Sequence, residues 1–433
     1  MREDIKRRNT LVQGGVLPEG YQENHNYTFP KAWGMCRLYN RFSRLKRKNN
    51  ENNENVLTIS AKQGLISQND YYNHSYASEE KSKYWLMRRG DYSYNKSYSA
   101  DYPYGAIKRL ETFELGIVSP LYICFESKSK TISDFYLHYF EAGVFNREIY
   151  KIAQEGARNH GLLNVAIDEL FSAYLLDPPV EEQQKIAEIL NHCDRVIELK
   201  QQLIEEERKR KKWLMQNLFD PNSGVRLAGF SGKWNQCSLS KVGKFSKGTG
   251  ISTDDCRIGQ SPCIKYGDIY MSYGEFFITP VSYTEDHIAI LSPKVKKGAL
   301  LFTASGEDRL EIGKCAAYLG DKPIAVGGDI VILCTDTEQY DSMFLAYQQY
   351  SDALIKQKAA LAQGYSIVHL YGDQIRKLVI NIPPTKAEQR AISNLLAGSD
   401  AKIGLLEQEL TQWQQKKKAL AQLLLTGLVR VTA

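Results

Sequence analysis

The chain of 433 residues has no uninterrupted apolar run of about 18 residues, the least that crosses a bilayer as a helix. Its opening stretch, MREDIKRRNT, lacks the apolar segment of a secretory signal. The eight cysteines (Cys36, Cys124, Cys193, Cys237, Cys256, Cys263, Cys315, Cys334) include no Cys-x-x-Cys pair. They read as reduced thiols of a cytoplasmic protein rather than as a zinc site. The seven histidines show no ligand spacing, so no metal site is expected. Walker A, G-x-G-x-x-G, G-x-S-x-G and H-E-x-x-H are all missing. The net charge is only +6, and no polybasic tail exists. A reader of nucleic acid built from this chain has to gather its positive charge on one face of a folded domain.

What is present is ordered in blocks. Hydrophobic residues make up 43% and charged residues 24%, as in globular proteins. Tyrosine is abundant, at 27, but segregated: 17 lie in residues 1–176, 10 in 221–384 and none in 177–220 or 385–433. Charge follows the same division, at +4 for 1–176, −2 for 177–220, +1 for 221–384 and +3 for 385–433.

The two tyrosine-free blocks repeat one another. Residues 182–218 shifted by 206 fall on 388–424 with 13 identities in 37 positions and no gap. These include Glu182/Glu388, Gln183/Gln389, Asp194/Asp400 and Lys211/Lys417. A period this long marks a duplicated domain pair rather than a solenoid. Each block has apolar residues at alternating steps of four and three, the period of a coiled-coil seam. The first seam is Ile186, Leu190, Cys193, Ile197, Ile204, Leu214 and Leu218, interrupted by Lys200, Glu207 and Lys211. The second is Ile392, Leu396, Ile403, Leu406, Leu410, Trp413, Leu420 and Leu424. Thr385 and Glu388 fit a capping box. Asp220-Pro221 and Gly427 end the helices, each roughly 55 Å long. Two equivalent seams in one chain are expected to pair as an antiparallel coiled coil.

The tyrosine-rich blocks read as mixed domains. Val56–Ser60, Ile117–Phe125, Leu300–Ala304 and Ile330–Cys334 have strand character, and Asp134–Phe145 and Asp341–Ala362 helical character. They echo one another at Trp33/Trp234, at Arg88-Arg89-Gly90-Asp91 against Lys296-Lys297-Gly298-Ala299, and at Glu155-Gly156-Ala157-Arg158 against Gln363-Gly364-Tyr365-Ser366. The fold class is α+β: two mixed α/β domains separated by two long helices, with a pseudo-two-fold internal repeat. The expected division is 1–176, first domain; 177–220, first helix; 221–378, linker and second domain; 379–433, second helix and tail. Residues 1–20 and 44–55 have no counterpart in the second half and read as disordered or as surface loop.

One catalytic pattern competes. Asp177-Pro178-Pro179-Val180 and Asn381-Ile382-Pro383-Pro384 approach the Asp/Asn-Pro-Pro-aromatic signature of amino-group methyltransferases, which stacks an aromatic ring on a flipped base. Val180 is not aromatic, and Ile382 splits the second triplet. Proline at a helix's first position is an ordinary start signal. A stand-alone DNA adenine methyltransferase, or a coiled-coil scaffold without nucleic acid, are the alternatives.

The helix starts read Pro-Pro-x-x-Glu-Gln-x-x-Ile-Ala-Glu-Ile-Leu-x-x-x-Asp over 178–194 and Pro-Pro-x-x-x-Glu-Gln-x-x-Ile-x-x-Leu-Leu-x-x-x-Asp over 383–400. In the order domain, helix, domain, helix, this resembles the DNA-specificity subunit of type I restriction–modification systems across essentially the whole chain. The resemblance implies a non-catalytic subunit whose two target-recognition domains each read half of a bipartite site in double-stranded DNA, with the coiled coil setting the gap. It implies two methyltransferase subunits as partners, carrying S-adenosylmethionine and the adenine N6 chemistry, and motor-nuclease restriction subunits where cleavage occurs. No cofactor and no membrane contact are expected of this chain. The residue types suited to base edges and phosphates nominate Lys62, Gln63, Arg88, Arg89, Asn95, Lys96, Ser97, Arg158, Asn159 and His160 in the first domain. In the first domain's central loop they interleave with Tyr92, Tyr94 and Tyr98. The second domain offers Lys265, Tyr266, Ser305, Arg309, Gln363, Tyr365 and Ser366. Ile186, Leu190, Ile197, Ile204, Leu214, Ile392, Leu396, Ile403, Leu406, Leu410 and Leu420 carry the spacer.

Overall fold

The computed structural model describes residues 3–61, 63–71, 80–98, 102–155, 161–256 and 259–431. The chain divides into two compact units, one of residues 1–200 with 409–433 and one of 201–408. Two long helices, Val180–Leu218 and Lys386–Leu425, each supply residues to both units. No helix among the described residues is long and apolar enough to cross a membrane.

In the first unit a four-stranded antiparallel sheet runs in the order Phe42–Arg44, Ile123–Ser127, Tyr92–Asn95, Ala106–Arg109. The helix Ser133–Glu141 lies against it, and the aromatic surplus of the sequence fills the space between. Phe42, Tyr92, Phe125, Tyr136 and Phe140 are buried, and Phe42 meets the rings of Tyr92, Phe125 and Tyr136 edge-on at 5.3–5.4 Å. Such ring packing adds roughly 1 kcal/mol per pair beyond area burial. The strand Gly34–Arg37 pairs antiparallel with Tyr174–Asp177, which runs straight into the first long helix.

The second unit is built likewise. Asn235–Ser238 pairs antiparallel with Val379–Ile382, the strand that leads to the second long helix. Its main sheet runs Gly243–Lys247, Ile330–Thr335, Ala299–Thr303, Cys315–Tyr318, Phe276–Phe277. A second sheet runs Ser282–Thr284, Ser261–Ile264, Ile324–Val326, Lys294–Val295. The stretch read as one helix over 341–362 is two, Ser342–Gln348 and Asp352–Leu361. Residues 117–125 are likewise two strands, Leu115–Val118 and Ile123–Ser127, with a turn between.

Each domain core takes in both long helices. Ile186, Ala187 and Leu190 of the first helix join Ala421, Leu424 and Leu425 of the second in the first unit's core. Met215 and Leu218 join Ile392 and Leu396 in the second unit's core. Between these anchors the seam thins: Ile197, Leu214, Leu406, Leu410 and Leu420 are half-buried, and Ile204 and Ile403 are buried.

The polar residues that interrupt the first seam are paired. In the first unit Lys200 bonds Glu409 at 2.6 Å and Lys417 pairs with Asp194. In the second, Lys402 pairs with Glu207 and Lys211 bonds Asp400 at 2.6 Å. In each unit a rising number on one helix meets a falling number on the other, so the two segments run antiparallel.

Among the described residues, the segments without a counterpart make contacts with the rest of their unit. Glu3–Gln13 is a helix with no buried residue, tied by Arg8 donating to the Leu428 carbonyl at 2.7 Å. Within 44–55, Arg47 pairs with Asp91, the Lys48 ammonium lies 3.3 Å above the Trp85 ring, and Asn49 is buried. The first segment is thus mainly helix, whereas 45–55 is largely irregular with Lys46, Asn50, Glu51, Asn52 and Glu54 exposed, as expected of a surface loop, and is pinned at these points.

Candidate nucleic-acid interface

The repeated helix-start motif is structural in both copies. Glu182 is buried and accepts two bonds from Arg430, at 2.7 Å each, and one from the Trp33 indole at 2.9 Å. Burial alone pushes this carboxyl up, but Arg430, Trp33 and the Val431 amide outweigh it and hold it below the ordinary glutamate value. Glu388, fully buried, accepts the same forked pair from Arg226, at 2.8 and 2.7 Å. In each unit the arginine follows the end of one long helix and grips the start of the other. The capping-box reading is half right: Thr385 accepts from the Glu388 amide at 3.2 Å, but the Glu388 carboxylate serves Arg226.

The neighbouring motif residues act similarly. Gln183 donates to Asp177 and to the Pro178 carbonyl, and Gln389 accepts from the Asp341 amide at 2.8 Å. Asp194 and Asp400 each take a lysine from the opposite helix segment of their unit. Asp400 also accepts from the Tyr347 hydroxyl at 2.5 Å, whereas His138 lies 3.8 Å from Asp194 and bonds Asn191 at 2.8 Å.

Asp177 is engaged within its own domain. Its carboxylate accepts from Arg41 at 3.0 Å, Tyr136 at 3.0 Å and Gln183 at 3.1 Å. The Asn381 carbonyl accepts from Gln348 at 2.8 Å, inside the strand Val379–Ile382. Pro-Pro here joins a strand to a helix.

Of the first-domain candidates, Lys62, Arg158, Asn159 and His160 lie outside the described residues. Gln63 is exposed at the turn between Leu57–Ser60 and Gly64–Ser67. The stretch read as one loop over 88–98 contains a strand, Tyr92–Asn95, which alters its geometry. Arg88 and Arg89 are exposed at one end, Arg89 bonding Glu114 at 2.7 Å. Asn95, Lys96 and Ser97 are at the other. Tyr92 and Tyr94 are fully buried and support the sheet from within; only Tyr98 remains outside. Asn95–Tyr98 is stitched to the segment after 160: the Lys96 carbonyl accepts from the Leu163 amide at 2.9 Å, and the Tyr98 amide donates to Gly161 at 3.0 Å. The second candidate loop and the flank of the third are thus neighbours.

The second-domain candidates converge. Tyr266 and Tyr270 both donate to the Ser305 carbonyl, at 2.6 and 3.0 Å, and the Ser305 hydroxyl meets His369 at 3.3 Å. Ser305–Gly306 pairs with Val368–His369, and His369 pairs with Gln363, closing a small loop. Gly364 sits there at φ +104°, and any Cβ would strike the Ile367 carbonyl. At its tip Tyr365 is 100% exposed, beside exposed Ser366 and Ile367. Arg309 anchors the loop by donating to the Ala362 and Gly364 carbonyls at 3.0 and 2.8 Å. Its guanidinium is largely engaged in holding the loop, with exposed Glu307, Asp308 and Glu311 around it. Lys265 is partly covered and paired with Asp268 and Ser282. Sequence reading missed Tyr270, Ile367, His369 and the adjacent Tyr371, because isolated residues give no pattern of their own. It also missed Arg226 and Arg430, although each follows a glycine just past a helix end.

A two-stranded link into a long helix, built twice in one chain, defines a class. In fold, the chain matches type I restriction–modification S subunits. It aligns with a chain from a study of complex assembly and conformational transition of the type I R-M system over 93% of its length and all of that chain, at a TM-score of 0.56 and 15% identity. It aligns with the type I S subunit from M. genitalium over 95% of its length and 99% of that chain, at a TM-score of 0.53 and 15% identity. In sequence it is 25% identical over 330 residues to the type I restriction enzyme MjaVIII specificity subunit of Methanocaldococcus jannaschii, covering 73% of this chain and 75% of that one. It is 24% identical over 316 residues to the putative MjaX specificity subunit of the same organism, covering 69% of each. No protein-family model matches the chain. The resemblance first read from the helix starts is therefore shared by homologues that carry the name of type I specificity subunit.

Proposed function

We propose that this chain is the DNA-specificity subunit of a type I restriction–modification complex. Each domain reads one half of a bipartite site in double-stranded DNA, and the paired long helices, as an antiparallel coiled coil, fix the gap between the halves. The chain itself transfers no methyl group. Two methyltransferase subunits bring S-adenosylmethionine and modify adenine at N6, and restriction subunits join where the complex cleaves. Its place is the cytoplasm, where the DNA is.

The observation that carries this reading is the twofold use of one motif. Each helix-start glutamate is gripped by an arginine following the other long helix, so both helix segments are locked to each domain. A spacer must be rigid at both ends to act as a ruler. The commitment of Asp177 to Arg41, Tyr136 and Gln183 weighs against the methyltransferase alternative.

In the first domain the reading surface comprises Gln63, Arg88, Arg89 and the Asn95–Ser97 loop. In the second it comprises the knot of Tyr266, Ser305, Gln363, Tyr365 and Ser366. Inserting one helical turn, about four residues, near residue 205 tests the ruler. The unspecified gap changes while both half-sites stay the same; an unchanged gap refutes it. Methyl transfer by the purified chain alone refutes the non-catalytic assignment.

A further inference from the structure

Eight cysteines are spread over the chain, and six of them have no second sulfur beside them. Cys256 and Cys263 differ: their sulfurs are 3.7 Å apart. Cys263 is fully buried on the strand Ser261–Ile264, hydrogen-bonded on both sides by Ser282–Thr284 and Ile324–Val326. Cys256 closes the short turn Asp254–Cys256 and is partly exposed. That turn is held by Asp255, which accepts from the Ser252 amide at 2.7 Å and hydroxyl at 2.6 Å. The Asp255 carbonyl in turn accepts from the Thr284 hydroxyl at 2.8 Å. One sulfur therefore stands on a fixed strand and the other on a surface turn lashed to the next strand.

We infer that Cys256 and Cys263 form a modification site: a dithiol that a low-molecular-weight disulfide, such as glutathione disulfide, oxidises to an intramolecular disulfide. The Cys256 thiolate attacks the small disulfide, forming a mixed disulfide and releasing one small thiolate, which takes up a proton. The Cys263 thiolate then attacks the Cys256 sulfur and displaces the second small thiolate, which is protonated likewise. Two protein thiols are oxidised and one small disulfide is reduced to two thiols. A disulfide needs its sulfurs at about 2.05 Å, so the gap must close by well under the width of an atom. The turn supplies that movement without breaking the strand. Burial pushes both thiols above the ordinary cysteine value, Cys263 to about 12, so the reaction quickens as pH rises. The product closes a ring from 256 to 263, two residues before Lys265 and Tyr266, and pins the turn to the sheet.

The test treats the full chain at pH 8.5 with glutathione disulfide. Peptide mass spectrometry and limited proteolysis without reductant are the readouts. The expected result is a 256–263 cross-linked peptide lighter by two hydrogen atoms, lost on adding dithiothreitol, with slower cleavage within 252–262. Cys263→Ser is expected to stop at the mixed disulfide on Cys256, and Cys256→Ser to leave Cys263 unmodified. A wild-type chain that carries only mixed disulfides, or cross-links elsewhere first, overturns the proposal. So does cleavage that is equally fast in the oxidised chain and in Cys263→Ser.

Discussion

Lys358 is a single buried cation with consequences for stability. It is 3% exposed in the helix Asp352–Leu361, donates to the Gly313 carbonyl at 3.0 Å and faces the Tyr350 ring. Burial pushes its ammonium down from 10.5 to about 8. A lysine lowered on folding costs stability wherever the unfolded chain is charged. That cost is full below pH 8 and fades as pH rises towards 10.5. A shift of this size corresponds to roughly 3 kcal/mol, and losing the bond to Gly313 returns about 1 kcal/mol of it. Lys358→Met is thus expected to raise stability by about 2 kcal/mol at pH 7, with the gain shrinking from pH 8 to pH 10. Denaturant unfolding of both proteins across that range checks it; a gain that does not fall with pH contradicts it.

Glu182 shows the opposite sign. Its folded carboxyl is held below 4.5 by Arg430 and Trp33, so its contribution is fully present above pH 4.5 and lost as pH falls through the folded value. Glu182→Gln leaves Arg430 without its charge partner and is expected to cost about 3 kcal/mol at pH 7. Melting followed from pH 7 downward tests this. The penalty shrinks as pH falls through the folded value, where the wild-type carboxyl itself becomes protonated; a penalty that stays constant down to acid unfolding sinks the idea.

Among the elements, the long helices were the most legible. Steps of four and three from Ile186 to Leu218 and from Ile392 to Leu424 forecast helices, and Val180–Leu218 and Lys386–Leu425 result. The period does not say what covers each apolar residue. Leu190 and Leu396 are fully buried in domain cores, whereas Leu199 and Leu405, identical in the repeat, are 47% and 62% exposed. Leu190→Ala and Leu396→Ala are expected to cost about 2–5 kcal/mol, and Leu199→Ala and Leu405→Ala under about 0.5 kcal/mol. Chemical unfolding separates the pairs; a large loss at Leu199 contradicts the account.

The domains were less legible, for a physical reason. Tyr92 and Tyr94 sit two apart between polar residues, a pattern that suits a loop's rim and a half-buried strand equally. Only the partners Phe42 and Phe125, distant in sequence, decide for the strand. Arg309 looked like a base reader by type, yet its donors meet carbonyls more than 50 positions away. Tyr365 is fully exposed at the tip of a loop that Gly364 turns and Arg309 anchors.

At the scale of the whole molecule, the modest charge of +6 and the segregated tyrosines have one explanation. The helices bear no tyrosine and pair part of their charge with each other within each unit, and the domains hold their aromatics mostly as core, with a few such as Tyr98 and Tyr365 left outside. The chain is one domain-and-helix unit written twice, and each copy of the helix start is locked by the same glutamate–arginine fork. The most direct measurement is a genome-wide map of N6-methyladenine in the host with and without this gene. The account predicts the loss of one bipartite motif, two short specified halves around a fixed unspecified gap. An unchanged methylation map in a host whose type I methyltransferase subunits are expressed, or loss of a single continuous motif, contradicts it.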